Sequence, residues 1–292
     1  MKKLINISLS IALCLLIASM AGCKKGDNTP SPIVVTKQVK LAISKTLGSY
    51  LVDQDGRALY YFSNDFNGQN TCAGGCEAVW PYFNVINLSA DQLGEGLELS
   101  DFSTITAANG KKQLTYKTWP LYYYAPAVGG VNTPEASGLT TGEGVGGVWF
   151  VAKPDYTIML MNAQLTGHNG KTYRPDYTEG TGRTLYFSDG MGLTLYTFRN
   201  DKANVNTFTR ADFSNDGVWP IYQTDKIVVP STLDRSLFGS ILVFGKKQLT
   251  YKGWPLYYFG QDAGVRGSNK GISFPNPGVW PVAVKDIAPA TP

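Results

Sequence analysis

From about residue 40 onward the apolar positions fall in short runs rich in Val, Thr, Tyr and Phe, broken by Gly, Asn, Asp and Pro. Apolar and polar positions alternate in Leu114-Thr115-Tyr116-Lys117, as a half-buried strand requires, whereas Leu121 to Tyr124 is apolar or aromatic throughout and predicts a strand covered on both faces. Asp55-Gly56, Asn109-Gly110 and Asn169-Gly170 stand between such runs, and these pairs favour tight hairpin turns because they tolerate positive φ. No helical period is sustained over three turns. The pattern predicts an all-β protein of antiparallel hairpins.

Comparing the chain with itself shows a duplication. Lys111 to Tyr124, KKQLTYKTWPLYYY, recurs as Lys246 to Phe259, KKQLTYKGWPLYYF. Upstream of each lies a looser pair, Tyr50 to Phe62 and Tyr186 to Phe198. All four segments contain Leu-Tyr-x-aromatic, at Tyr60, Tyr122, Tyr196 and Tyr257, and each is followed by a Val-Trp, at Trp80, Trp149, Trp219 and Trp280. Four quasi-repeats are therefore expected, forming one propeller-like or barrel-like body or two tandem β domains, because single units of this kind cannot bury their apolar face. The expected boundaries are a first half over 41–152, a connecting insertion over 153–182 with a hairpin around Asn169-Gly170, a second half over 183–285, and a frayed tail over 286–292.

The N-terminus has a different pattern. Lys2 and Lys3 precede the mostly apolar run from Leu4 to Ile17, which makes residues 1–22 a secretory signal. Ser19-Met20-Ala21-Gly22-Cys23 resembles the lipobox of bacterial lipoproteins, with Met20 in place of the usual Leu, and predicts lipidation of Cys23. Acyl chains contribute about 0.8 kcal/mol per buried methylene, so a multiply acylated residue anchors stably. Residues 23–40 then form the lipidated cysteine and a polar spacer, and Lys24, where an Asp would favour inner-membrane retention, points to the outer membrane.

Composition narrows the chemistry. Without Lys2 and Lys3 the chain carries 24 basic and 22 acidic side chains and has no basic run, which argues against nucleic acid. His168 is the single histidine, so there is no His cluster for a metal, and a Ser/His triad is excluded unless that residue is its base.

Tyr60-x-Phe62-x-x-Asp65, Tyr196-x-Phe198-x-x-Asp201 and Tyr257-x-Phe259-x-x-Asp262, with Cys72-x-Gly74-x-Cys76 ahead of Trp80-Pro81, resemble the secreted-repeat lipoproteins, a bacterial family described by a Tyr-x4-Asp motif and of unknown function. The resemblance spans about residues 45–285. Two departures stand out: Ala127 falls where the second unit's Asp would be, and the second half lacks both cysteines. The family implies a cell-envelope lipoprotein and no reaction.

Cys72 and Cys76 are the only thiols left after signal removal and lipidation, and an exported chain makes a disulfide the expected state, with a redox pair or half of a thiolate metal site as alternatives. Phe208 aligns with Cys72, and Phe213 lies near the equivalent of Cys76, which suits a structural staple. Asp65, Asp201 and Asp262 are expected to cap turns, with cation binding or catalysis as the alternatives. The Trp of each Val-Trp is expected in the core, while Trp119 and Trp254, close to hairpin ends, are candidates for stacking a ligand such as a sugar. No catalytic residue, metal or cofactor is assigned. The expected function is a non-enzymatic envelope scaffold, tethered through Cys23 and meeting an envelope protein or glycan. The alternatives are an envelope redox accessory using Cys72 and Cys76, and a carbohydrate-binding or glycan-active protein.

Overall fold

The computed structural model describes residues 35–292, and these form a single compact unit. The signal, Cys23 and most of the spacer lie outside the described residues. The first half begins with β1 (Val39–Ser44) and β2 (Gly48–Asp53), an antiparallel hairpin, and β2 turns through the Asp55-Gly56 bend into β3 (Tyr60–Phe62). One short helix, α1 (Gly75–Val79), leads to Trp80. A second hairpin follows, β4 (Phe102–Thr106) with β5 (Lys112–Tyr116), and β5 bends directly into β6 (Trp119–Pro120). A small excursion, β7 (Ala127–Val128) and β8 (Val131–Asn132), precedes β9 (Trp149–Val151), which pairs antiparallel with β3.

The second half repeats this plan. β10 (Met159–Thr166) pairs with β11 (Thr172–Tyr173) around the Asn169-Gly170 turn and with β12 (Arg183–Ser188). β13 (Phe238–Val243) and β14 (Lys246–Tyr251) form the last hairpin, with β15 (Trp254–Pro255) returning along β14. Two boundaries differ from the sequence expectation. Within 153–182, β10 is not added material, because it pairs with β12 as β1 pairs with β2, whereas the hairpin around Asn169-Gly170 that adds β11 has no counterpart in the short β1–β2 turn. The tail is tied down: the Ala290 amide donates to the Lys252 carbonyl, and the Ala203 amide donates to that of Thr291.

Each of the four units closes on a ring of three backbone hydrogen bonds. In the first, the Leu51 amide donates to Ala152, the Ala152 amide to Leu59 and the Leu59 amide to Leu51. The same ring recurs at Leu114, Phe83 and Leu121, at Phe187, Ala283 and Leu195, and at Leu249, Tyr222 and Leu256. All twelve residues are buried. The third member always comes from beyond another unit's tryptophan, so Trp149 leads to the strand completing unit one and Trp80 to the strand completing unit two. Neither unit of a half is complete without its neighbour.

The halves share a core. Tyr61, Trp119 and Phe150 belong to the same apolar cluster as Met159, Tyr196, Trp219 and Tyr257, and the Asn162 amide donates to the Ser63 carbonyl. The architecture is all-β and duplicated, one body of small antiparallel sheets, and the described residues form no closed barrel.

Candidate functional site

The motif residues meet at the centre of each half. Tyr60 and Tyr122 exchange backbone hydrogen bonds, as do Tyr196 and Tyr257, which sets each pair of side chains on either side of a shared strand contact. Their hydroxyls then cross. Tyr122 donates to Asp65 Oδ2 at 2.5 Å, although Asp65 follows Tyr60, and Tyr257 donates to Asp201 Oδ2 at 2.7 Å. Tyr196 in turn donates to Asp262 Oδ2 at 2.6 Å. Each aspartate holds the tyrosine of the neighbouring unit.

The other carboxylate oxygen is occupied locally. Asp65 Oδ1 accepts from the amide and hydroxyl of Thr71 at 2.8 and 2.7 Å, and Asp201 Oδ1 accepts from those of Thr207 at 2.7 and 2.8 Å. Asp262 Oδ1 accepts from the Ser268 hydroxyl at 2.7 Å and the Lys270 amide at 2.9 Å. In all three the hydroxyl residue lies six positions after the aspartate. The expected turn caps are therefore also long-range clamps.

The second unit follows the same rule with a different carboxylate. Ala127 sits on the exposed β7–β8 hairpin, and Glu135 beyond it accepts the Tyr60 hydroxyl through Oε1 and the Thr141 amide and hydroxyl through Oε2, at 2.8 and 2.7 Å. The apparent loss of the motif is a displacement by the inserted hairpin. Its sequence signal is the threonine six residues after Glu135. Two glycines allow this approach: Gly142 donates its amide to the Tyr60 hydroxyl and Gly271 to that of Tyr196, and a Cβ at either would lie under 3.0 Å from the packed aromatic rings.

Burial sets the electrostatics. Asp65 is 0% exposed, Asp201 2%, and Glu135 and Asp262 7%. Desolvation pushes Asp65 up to about 6 against the opposing hydrogen bonds from Tyr122 and Thr71, and it raises Asp201 and Asp262 in the same direction. The four tyrosines are raised as well, first by burial and then by the facing carboxylates. Each carboxylate faces hydroxyl and amide hydrogens, which is a surrounding for a structural acceptor and not for a cation.

Around the clamps lie two ring stacks. Trp80 and Trp149 stack at 3.8 Å and 2°, flanked by Tyr124 and Phe62, and Trp219 and Trp280 stack at 3.7 Å and 9°, flanked by Phe259 and Phe198. Aromatic pairs contribute about 0.5–1.5 kcal/mol beyond their burial. The disulfide joins Cys72, itself buried, to Cys76, with Cα atoms 5.3 Å apart. In the second half the Phe208 ring takes the place of Cys72 and packs on Trp280 at 4.8 Å. The counterpart of Cys76 is Asn215 and not Phe213, because the Trp80 amide donates to Cys76 and the Trp219 amide to Asn215. Asn215 Nδ2 donates to the Phe208 carbonyl at 2.7 Å, a hydrogen bond where the first half has a covalent one.

Of the two stacking candidates, Trp119 is covered and Trp254 is half-buried. Trp119 is 2% exposed, packed on Tyr61 at 4.8 Å and roofed by the Arg266 guanidinium 3.7 Å from its ring. Arg266 bonds Thr118 and the Met191 carbonyl through one nitrogen, its Nε and Nη2 are buried without partners, and burial pushes its pKa down to about 10. Trp254 is half-buried and donates to the Ala288 carbonyl of the tail at 2.8 Å. Trp119 offers no free ring face of the kind expected for a sugar platform. His168 is exposed in its turn, 5.6 Å from the Phe274 ring.

A family model described as a secreted repeat of unknown function matches the chain twice, over residues 41–84 and 244–284. The first match contains Tyr60, Asp65, both cysteines and Trp80, and the second Tyr257, Asp262 and Trp280. Searches of curated proteins and of solved structures returned no match. Among the described residues no helix is long and apolar enough to cross a membrane.

Proposed function

We propose that this chain is a lipid-anchored protein of the bacterial cell envelope, held through Cys23, whose β body is a non-enzymatic scaffold for an envelope or surface interaction. The observation that carries the reading is the occupancy of the motif itself: every motif carboxylate accepts both a tyrosine hydroxyl and local donors, and the motif tyrosines are buried edge-on against the tryptophan stacks. The repeat's most distinctive side chains hold the body together and present no reactive group to solvent. The secreted character of the matching family supports export, the signal and lipobox-like residues 19–23 support the anchor, and Lys24 favours the outer membrane. The replacement of Cys72 and Cys76 by Phe208 and Asn215 in the second half supports a staple over a redox pair, since a hydrogen bond carries no electrons.

The test is metabolic labelling of the full chain with a palmitate analogue. Wild type should carry the label and sediment with membranes, and Cys23→Ala should lose both. A labelled Cys23→Ala, or an unlabelled wild type found in the soluble fraction, would overturn the anchor.

A further inference from the structure

Corresponding residues of the two halves line two surface clefts whose remaining walls differ. A cleft of about 480 Å³ lies between the β1–β2 turn of the first half, residues 46–49, and the segment 227–235 of the second, and Lys153 and Asp155 form part of its wall. In the second half a cleft of about 430 Å³ lies against the start of β12, and Val284 and Asp286 form part of its wall. Lys153 follows the ring residue Ala152 as Val284 follows Ala283, so the two positions correspond. At this position one cleft has an ammonium and the other an isopropyl group, and the cations of the second cleft, Arg183 and Lys285, stand at other places in its wall.

That ammonium is unusual in its surroundings. Lys153 is 7% exposed, its one hydrogen bond is a long contact of 3.4 Å to the Val229 carbonyl, and its Nζ lies 5.1 Å from the Tyr156 ring. It takes part in none of the salt bridges among the described residues. Burial lowers its pKa, with Glu143 and then Asp155 acting in the opposite direction at longer range. A buried cation without a paired anion is costly, and the valine at the corresponding position shows that the fold does not require it. The remaining wall combines the hydroxyl residues Thr46, Ser49 and Ser231 and the cation Arg235 with apolar Leu47 and Val228. Asp155, exposed on the rim, is the one carboxylate there. Clefts of roughly 300–1,000 Å³ with a few convergent polar groups suit small ligands.

We propose that this cleft binds a small organic acid, with the ligand carboxylate on the Lys153 ammonium and its apolar body against Leu47 and Val228. The site extends the scaffold reading and is independent of the lipid anchor. It is tested on residues 24–292 by fluorine NMR with 4-fluorobenzoate as the probe. Wild type should give a saturable shift in 100 mM chloride, and the neutral probe 4-fluorobenzyl alcohol should bind at least 10-fold more weakly. Lys153→Val, which copies the second half, should keep its melting transition and lose at least 10-fold in affinity, and Lys153→Arg should retain binding within a few-fold. Absence of a saturable shift in wild type, equal binding of the neutral probe, or unchanged affinity in Lys153→Val overturns the proposal. If Lys153→Val does not fold, loss of binding in Arg235→Gln together with Ser49→Trp supports the site, and unchanged binding in that variant overturns it.

Discussion

The two halves solve one problem by different means. Both must hold the loop after the first motif aspartate against the stacked tryptophans. The first half ties Cys72 to Cys76 covalently, and the second packs Phe208 on Trp280 and closes the loop with the Asn215 side chain. Everything deeper is shared: the crossed tyrosine and carboxylate pairs, the tryptophan stacks and the three-bond rings. The difference teaches that the disulfide is a peripheral reinforcement, while the clamp and the stack define the unit.

The comparison is broken most severely at the stacks. Trp280→Ala should destabilise by about 3–5 kcal/mol, as removal of a large core ring does, and Trp149→Ala should cost less because the disulfide still restrains the loop leading to its stacking partner Trp80; urea unfolding of both variants measures the difference. A pH series comes next. The native state binds the Asp65 proton more tightly than the unfolded chain, so Asp65 favours the fold fully below pH 4, and this contribution is lost as pH rises through about 6. The loss is about 3 kcal/mol at roughly 1.4 kcal/mol per pH unit. Asp201 and Asp262 act in the same direction, and Asp65→Asn should flatten the stability curve between pH 4 and 7.

Smaller effects sharpen the contrast. Cys72→Ala with Cys76→Ala should cost about 2 kcal/mol by the chain-entropy relation for so short a loop, read as a lower urea midpoint with no change in the probe binding proposed for the Lys153 cleft. Asn215→Ala removes two side-chain hydrogen bonds, to the Phe208 carbonyl and from the Arg210 amide, and should cost about 1–2 kcal/mol at the net worth of ordinary hydrogen bonds. A larger loss at Asn215 than at the disulfide would reverse the ranking of the two devices.

The parts of this fold that are local in origin were legible from the residues. Asp55-Gly56 and Asn109-Gly110 mark turns by their φ preference, and repeated Leu-Tyr and Val-Trp mark the units. The crossing was not legible, because Tyr122 meets Asp65 across 57 positions and Tyr60 meets Glu135 across 75, and no local pattern specifies which carboxylate a buried hydroxyl will find. The β7–β8 insertion hid Glu135 by moving it away from the motif spacing. β10 went unread as a strand of the second half because its sequence, MLMNAQLT, shares little with VKLAIS of β1 while pairing in the same way. Trp119 has the local context of a hairpin end, and its cover, Arg266, arrives from the other half.

The central claim is that the motif aspartate and the neighbouring unit's tyrosine act as one clamp. A double-mutant cycle in urea with Tyr257→Phe, Asp201→Asn and the pair tests it most directly. A coupling of at least about 1 kcal/mol is expected between two residues 56 positions apart. Additive losses, with no coupling, would contradict it.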